Sequence, residues 1–360
     1  MKKLIAMLLA LVMVMSLAAC GASAPAATEA PKTEAPAATE APKTEAPAAT
    51  EAPAAEPVTL NIAYMPNWGA LWAVATGIEK GYFEEEGLKL NLVQFDAGPA
   101  EIAAMEQGSI DIAYIGKGAH KLCPNGTADI LLLQHMGDGD SIIGLGGITK
   151  LEELKGKKIG YAAGTSSESI LVAALESVGM TMDDVEAMNM NASNLTSAAM
   201  AGSIDAVAAW APMSLTILAQ VEGSVDICSN VDFPSMVTTG SWVVNPNWVK
   251  DHEEEAMKFV RAMYKAMDYA SASLTDDAIA EEVAGYISPI IVKDASAVLE
   301  ERYTGTWMSS VQLKEMLDNG GVLKAYTDVH NGFVAAEAVA ADAPTADKYV
   351  MLDLMKACFE

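Results

Sequence analysis

The sequence predicts an α/β protein of two lobes, with a helical C-terminal part packed back on lobe one. Three observations carry this. From residue 58 to 221, short apolar runs alternate with stretches of helical spacing, the order that builds mostly parallel sheets covered by helices. Gly108-Ser109-Ile110-Asp111 recurs as Gly202-Ser203-Ile204-Asp205, each time where a helix stops and a strand opens, so one plan is used twice. From about Asp251 the pattern turns to helices alone, which cannot complete a second sheet and so return to the first.

In order, residues 58–64 read as a strand and 70–80 as a helix stopped near Gly81. Residues 88–95 form the next strand. A helix opened by Pro99 ends at Gly108, and strands follow at 110–115 and 130–135. The second round has strands at 158–162, 185–190 and 204–209, with helices at 166–178, 195–200 and 213–221. The closing helices fall at 253–270, 276–286, 295–302 and 309–317. A chain that leaves lobe one and returns needs two hinge crossings. The apolar stretches 141–145 and 239–244 fit, flanked by Gly139, Gly144, Gly146 and Gly147, and by Gly240 and Pro246. Lobe one is therefore 58–140 plus 246–360, and lobe two is 141–245 with its hinge strands.

The first 57 residues stand outside this plan. Lys2 and Lys3, an apolar run over 4–15 and then Leu17-Ala18-Ala19-Cys20 read as a secretory leader. The run is shorter than the about 20 residues of a membrane span. Its end resembles the bacterial lipobox, which makes 1–20 a lipoprotein signal peptide and Cys20 the lipidated first residue of the mature chain. Residues 21–57 repeat Ala-Pro-Ala-Ala-Thr-Glu-Ala-Pro-Lys-Thr-Glu from Ala24 and again from Ala35, and hold seven of the 15 prolines. Such a segment buries too little apolar surface to order itself, and proline keeps it extended. It reads as a disordered tether that lifts a folded body off a membrane.

The chain of 360 residues carries 22 Lys+Arg against 48 Asp+Glu, a net charge of −26. Six Glu and two Lys in the tether and two Lys in the leader leave −24 on the body. That charge repels phosphate backbones and excludes nucleic acid as a partner. Cys20, Cys123, Cys228 and Cys358 form no CxxC pair and no disulfide framework, so the last three are expected as buried or incidental thiols. His120, His135, His252 and His330 lack metal-ligand spacing. No metal and no cofactor is expected.

Several motifs carry a family resemblance. Tyr64-Met65-Pro66 closes the first strand. Gly77-Ile78-Glu79-Lys80-Gly81-Tyr82-Phe83 precedes Glu86-Gly87-Leu88, and Phe95-Asp96-Ala97-Gly98-Pro99 precedes Gln107-Gly108-Ser109-Ile110-Asp111-Ile112-Ala113-Tyr114. The run 151–159 leads to Gly164-Thr165-Ser166, and Asp205-Ala206 leads to Trp210-Ala211-Pro212. In order and spacing, over about 58–320, these resemble the substrate-binding proteins of ABC importers in the nitrate/sulfonate/taurine and thiamine-precursor group. The resemblance implies a type II periplasmic-binding-protein-like fold. It further implies a monomer that closes on one small molecule and delivers it to a membrane permease and its ATPase. With the leader and tether, it implies a lipid-anchored protein on the outer face of the cytoplasmic membrane, and the long tether suits a Gram-positive surface.

Ligands of open α/β sheets bind beyond the carboxyl ends of strands. That rule selects Asn67 and Trp68 after the first strand, Asp96 and Gly98 after the second, and Lys117 and His120 after the third. In the second round it selects Thr165, Ser166 and Ser167, then Trp210. Trp242 lies in the second hinge stretch. Thr165-Ser166-Ser167-Glu168 opens a helix, so its amides and hydroxyls either hold an anionic oxygen or close a capping box. Lys117 either pairs with an anion or is solvated, and His120 either binds or caps a turn. The Trp side chains offer flat apolar walls, with Trp72 expected in the core. Where the family often has Asp after the Trp, Ala211 stands here, which removes a polar contact.

Only two arginines occur, Arg261 and Arg302, and neither lies in a predicted cleft loop, so no arginine clamp awaits an oxoanion. The ligand is left as a sulfonate, taurine or nitrate-like anion held by amides, hydroxyls and Lys117, or as a neutral, aromatic or cationic solute paired with Asp96 or Asp138. Enzymes related to a pyrimidine synthase share the resemblance, but no nucleophile–base set, paired carboxylates or nucleotide fingerprint is present. A surface sensor or adhesin is the remaining alternative. It would show a large exposed apolar patch away from the cleft.

Overall fold

The computed structural model describes residues 56–360, except 138, 234, 235 and 237. The signal peptide, the lipidated Cys20, nearly all of the tether and Asp138 therefore lie outside the described residues.

Lobe one opens with β1 (Val58–Tyr64), β2 (Leu88–Gln94), β3 (Ile112–Ile115) and β4 (Asp129–Met136). The chain then builds β5 (Ser141–Gly144), β6 (Lys158–Tyr161), β7 (Glu186–Asn189), β8 (Ala206–Ala209) and β9 (Val225–Ser229) in lobe two. It returns to lobe one with β10 (Thr239–Val244) and β11 (Thr306–Trp307). The six-stranded sheet has the order β11-β4-β10-β3-β1-β2, and the five-stranded sheet β7-β6-β8-β5-β9. β1 runs parallel to β2 and β3, and β6 parallel to β7 and β8, while β5 and β10 are antiparallel to their neighbours.

The mixed sheets follow from the double crossing. Each strand that has just changed lobes enters its new sheet against the direction of its neighbours. β10 is buried along its whole length because it lies between β3 and β4, and a strand covered on both faces reads as a continuous apolar run.

This corrects the assignment of 239–244 to lobe two. Thr239–Val244 is a central strand of lobe one, and the second crossing lies upstream, between β9 and β10. Trp242, expected in a hinge, sits in the core instead, its indole N–H donating to Gln134 Oε1 at 2.8 Å.

The C-terminal helices pack on lobe one. The helix Glu253–Ala270 buries Ala256, Phe259, Val260, Met263, Ala266, Met267 and Ala270, a stripe at helical spacing. Glu253, Glu254 and Glu255 occupy its first turn, where the helix dipole favours negative charge. Phe259 meets Phe83 and Trp242 at ring distances of 5.5 and 5.4 Å. The expectation of helices alone after Asp251 is also corrected, since the two-residue β11 pairs with the end of β4.

Cys123, Cys228 and Cys358 are free and buried. Among the described residues no cluster of ligating side chains could hold a metal ion, and no helix is long and apolar enough to cross a membrane.

Candidate functional site

A cavity lies where the carboxyl ends of the strands of both sheets face each other. It encloses about 500 Å³ with its open mouth included. Lobe one lines it with Met65, Asn67 and Gly69 after β1, Gly98 and Pro99 after β2, and Tyr114, Gly116 and Ala119 at the end of β3. The C-terminal part adds Glu301, Thr304 and Trp307. Lobe two contributes Gly164, Thr165 and Ser166 after β6, and Trp210 and Ala211 after β8.

Asn67 caps the helix Trp68–Glu79, its Oδ1 accepting the Ala70 N–H at 2.8 Å, the bond that makes Asn a strong cap. One residue on, the Trp68 N–H donates to Glu301 Oε2 at 2.8 Å. Glu301 Oε1 pairs with Lys293 Nζ at 2.7 Å. This carboxylate is 1% exposed. Burial pushes its carboxyl above the usual range, and Lys293 and the Trp68 N–H oppose that shift. Gly69 sits at a close approach: a Cβ there would lie 3.2 Å from the Tyr114 hydroxyl and 3.3 Å from His135, so both side chains would have to shift slightly. The Tyr114 hydroxyl in turn meets His135 Nε2 at 3.4 Å. Trp307 packs against His135, Trp72 and Trp68 at ring distances of 4.7, 5.6 and 6.3 Å, and its N–H donates to the Arg302 carbonyl. Its indole is thus fixed before any ligand arrives.

In lobe two, the helix Ser166–Ser177 starts with a double cap. Thr165 Oγ1 accepts the Ser167 N–H at 3.2 Å, and Glu168 Oε2 accepts the Gly164 N–H at 3.0 Å. Glu168 Oε2 also meets Lys121 Nζ of lobe one at 2.9 Å. The lobes touch further where Ser193 Oγ donates to Asp96 Oδ2 at 3.1 Å and where Gly118 lies on the Thr165 backbone.

Of the residues selected from sequence, Asn67, Gly98, Thr165, Ser166 and Trp210 line the cavity. The others lie elsewhere, each for a physical reason. Trp68 is fully buried in the core, because helix position N1 turns its side chain toward the sheet and the Trp307 ring. Ser167 is fully buried and structural, its hydroxyl donating to the Ala208 carbonyl and accepting the Ala162 N–H. Asp96 is exposed at the lobe contact. His120 is locked in the lobe-one core, Nδ1 on the Lys117 carbonyl at 3.1 Å and Nε2 on Ser241 Oγ at 2.9 Å, with Tyr326 beyond at 2.6 Å. The Lys117 amine is buried and meets Met236 Sδ at 3.0 Å. Burial lowers its pKa to about 8, against the pull of Asp140. Glu301, Thr304, Trp307 and Tyr114 were not selected from sequence. Tyr114 closes a predicted strand and was open to the same loop rule, whereas the other three follow no strand that periodicity reveals.

Two α/β lobes joined by two crossings, with a cavity walled by both, define the periplasmic-binding-protein class of fold. The chain belongs to the NMT1/THI5-like family, whose model matches residues 71–273, over half of its length. It is similar to a protein of Brucella abortus provisionally described as a binding protein, 29% identical over 269 residues, covering 74% of this chain and 82% of the relative. It is also similar to the taurine-binding periplasmic protein of Escherichia coli, 24% identical over 216 residues, covering 59% of this chain and 66% of the relative. Among solved structures, the ligand-binding component of an ABC-type import system from Staphylococcus aureus, with zinc bound, superimposes with a TM-score of 0.67 at 14% identity, over 84% of this chain and 99% of that one.

Proposed function

We propose that this chain is an extracytoplasmic solute-binding lipoprotein that captures one small molecule by closure of two lobes and passes it to an ABC permease and its ATPase. The observation that carries the reading is a cavity whose walls come from both lobes, so a ligand that touches both favours the closed state. A taurine-binding relative supports taurine as a candidate solute, and the indoles of Trp210 and Trp307 support small aromatic or pyrimidine compounds as the other. The function is binding rather than catalysis: the carboxylate in the lining is already engaged by Lys293 and by the Trp68 N–H at the start of a helix. Cys20 is the membrane anchor and residues 21–57 the tether, placing the body on the outer face of the cytoplasmic membrane of a Gram-positive cell.

Thermal unfolding of the purified protein against a panel of sulfonates, amino acids and heteroaromatic bases tests the reading. One compound should raise the midpoint with concentration, by mass action, worth about 2.7 kcal/mol at a hundredfold excess over Kd. Catalytic turnover of any panel member, or no shift with a broad panel, refutes it. Incorporation of labelled palmitate that is lost in Cys20→Ala tests the anchor.

A further inference from the structure

We infer that Lys117 holds the ligand-free protein open: closing the lobes buries its amine between them, and that cost opposes closure until a ligand offsets it. This rests on the reading that the lobes close, and adds what sets the balance between the two states.

Lys117 belongs to lobe one, yet lobe two covers it. The residues on either side both face the gap: Gly116 lines the cavity, and a Cβ at Gly118 would strike the Thr165 backbone. Lys117 itself is 6% exposed, and its amine meets Met236 Sδ at 3.0 Å. Met236 packs into the lobe-two core with Ile142, Cys228 and Phe233. A thioether sulfur is a weak acceptor, so it replaces little of the hydration that an ammonium gives up. Asp140, fully buried on the first crossing, attracts the amine, but burial outweighs it and the pKa falls to about 8. Separating the lobes removes Met236 and returns water to the amine. The open state is therefore the one that carries the charge at least cost.

The charged groups on the elements packed around the run Lys117–Asn125 have other partners or lie at a distance. Within the run, His120 is held by the Lys117 carbonyl and Ser241, and Lys121 reaches Glu168 of the helix Ser166–Ser177. Glu176 is exposed at the far end of that helix. In the helix Gly98–Glu106, burial holds the Glu101 carboxyl toward its neutral form, and Glu106 is exposed at the end. In the helix Gly321–Ala335, Lys324 pairs with Asp328, and His330 meets the Tyr349 hydroxyl. Before the second crossing, Asp226 accepts from the Ser141 hydroxyl and Asp232 from the Ser229 N–H. Among the described residues, Asp140 is thus the anion that acts on this amine.

The sign of the proton linkage follows. The closed state, with the lower pKa, releases the proton first. Between about 8 and the ordinary 10.5, rising pH therefore favours closure, and from pH 7 to 10 the ratio of closed to open should grow by about tenfold or more.

Small-angle scattering of the ligand-free full chain at pH 7 and pH 10 tests this, with Lys117→Met and Lys117→Arg beside the wild type. Methionine keeps the apolar stem without the charge, and arginine keeps a charge that does not titrate in this range. Wild type should contract between the two pH values. Lys117→Met should be contracted at both, and Lys117→Arg extended at both. A lysine that only fills space would not give a pH profile that both variants abolish from opposite ends. The inference falls if wild type has one radius of gyration at both pH values, or if a well-folded Lys117→Met is no more compact than wild type at pH 7. It falls equally if Lys117→Arg contracts as wild type does, since other groups would then carry the pH effect. Should either variant not fold, the wild-type series and the remaining variant decide. The binding reading is judged apart, because the thermal screen is run at one pH on the wild-type protein.

Discussion

At the residue scale, the two indoles of the cavity differ in how they are held, and that difference is measurable. Trp210 lines the cavity at 6% exposure and follows a short strand, whereas Trp307 also packs on Trp68, Trp72 and His135. Trp210→Ala should therefore weaken ligand binding by roughly three- to tenfold, the worth of one aromatic wall, and lower the unfolding midpoint less than Trp307→Ala does. Trp307→Ala should cost about 3–5 kcal/mol of stability as well, because it empties core volume. Equal midpoints for the two variants would contradict this assignment. Lys117 gives a pH dependence. Its folded pKa of about 8 lies below the ordinary value of 10.5, so between these values the unfolded chain binds one more proton than the native one. Stability should then rise with pH across that window, by up to roughly 3 kcal/mol, and the rise should be missing in Lys117→Met. Urea unfolding of both proteins at pH 7.5 and 10 measures the difference. Asp140 faces the same amine and reduces the effect. Trp210 and Thr165 were legible in the sequence because one directly follows an apolar strand and the other lies in the short loop after one. Glu301 was not, because a Glu in a run of helical spacing looks like any solvated carboxylate until the fold folds it against the Trp68 N–H.

At the element scale, strands flanked by strong helices were legible, and elements defined by their neighbours were not. Residues 253–270 showed their helix through an apolar stripe, and the observed helix has the same bounds. β11 has two residues, too few for any period, and exists only because β4 offers an edge to pair with. β10 was seen as an apolar stretch, but its lobe could not be read, since apolar residues say that a strand is central and not in which sheet. The helix Ser166–Ser177 was legible down to its Thr165 cap, although Glu168 accepts the Gly164 N–H and not the Thr165 N–H that a capping box would use. The carboxylate holds the Gly164 N–H within lobe two and Lys121 across the gap. The element that shapes the cavity loop is thereby also the lobe contact. Glu168→Gln should keep much of the cap and lose the ion pair. Both partners are partly exposed, so the pair is worth at most about 1 kcal/mol, and ligand dissociation should quicken by about fivefold or less with little change in association. Stopped-flow displacement measures it, and a Glu168→Gln protein with unchanged dissociation would show that the contact does not hold the lobes together.

At the scale of the whole molecule, the chain pattern that sends β5–β9 out of lobe one and brings β10 back leaves two crossings as the only covalent links between the sheets. Everything else that joins the lobes is contact, and at Gly118 the chain lies against the Thr165 backbone. A Cβ built there would lie 2.0 Å from the Thr165 carbonyl carbon, and backbone cannot move aside as the end of a side chain can. Gly118 lies in the turn run Lys117–Asn125 without a left-handed φ, so alanine suits its backbone, and the three nearest atoms its methyl group would meet all belong to Thr165 of lobe two. The substitution Gly118→Ala thus separates two properties that are usually lost together. With the lobes apart the Thr165 backbone no longer opposes the methyl group, so each lobe should keep its fold. With the lobes together the methyl group overlaps Thr165, so the closed state is penalised. A ligand that needs the closed state then binds with an affinity reduced by the fraction still able to close, and a tenfold or greater loss is expected. Small-angle scattering supplies the independent readout: the wild-type protein should contract when ligand is added, and Gly118→Ala should contract less at equal saturation. A variant that binds and contracts like wild type would mean that ligand is held without closure. The two-walled cavity would then be a consequence of how the lobes rest against each other and not the mechanism of capture.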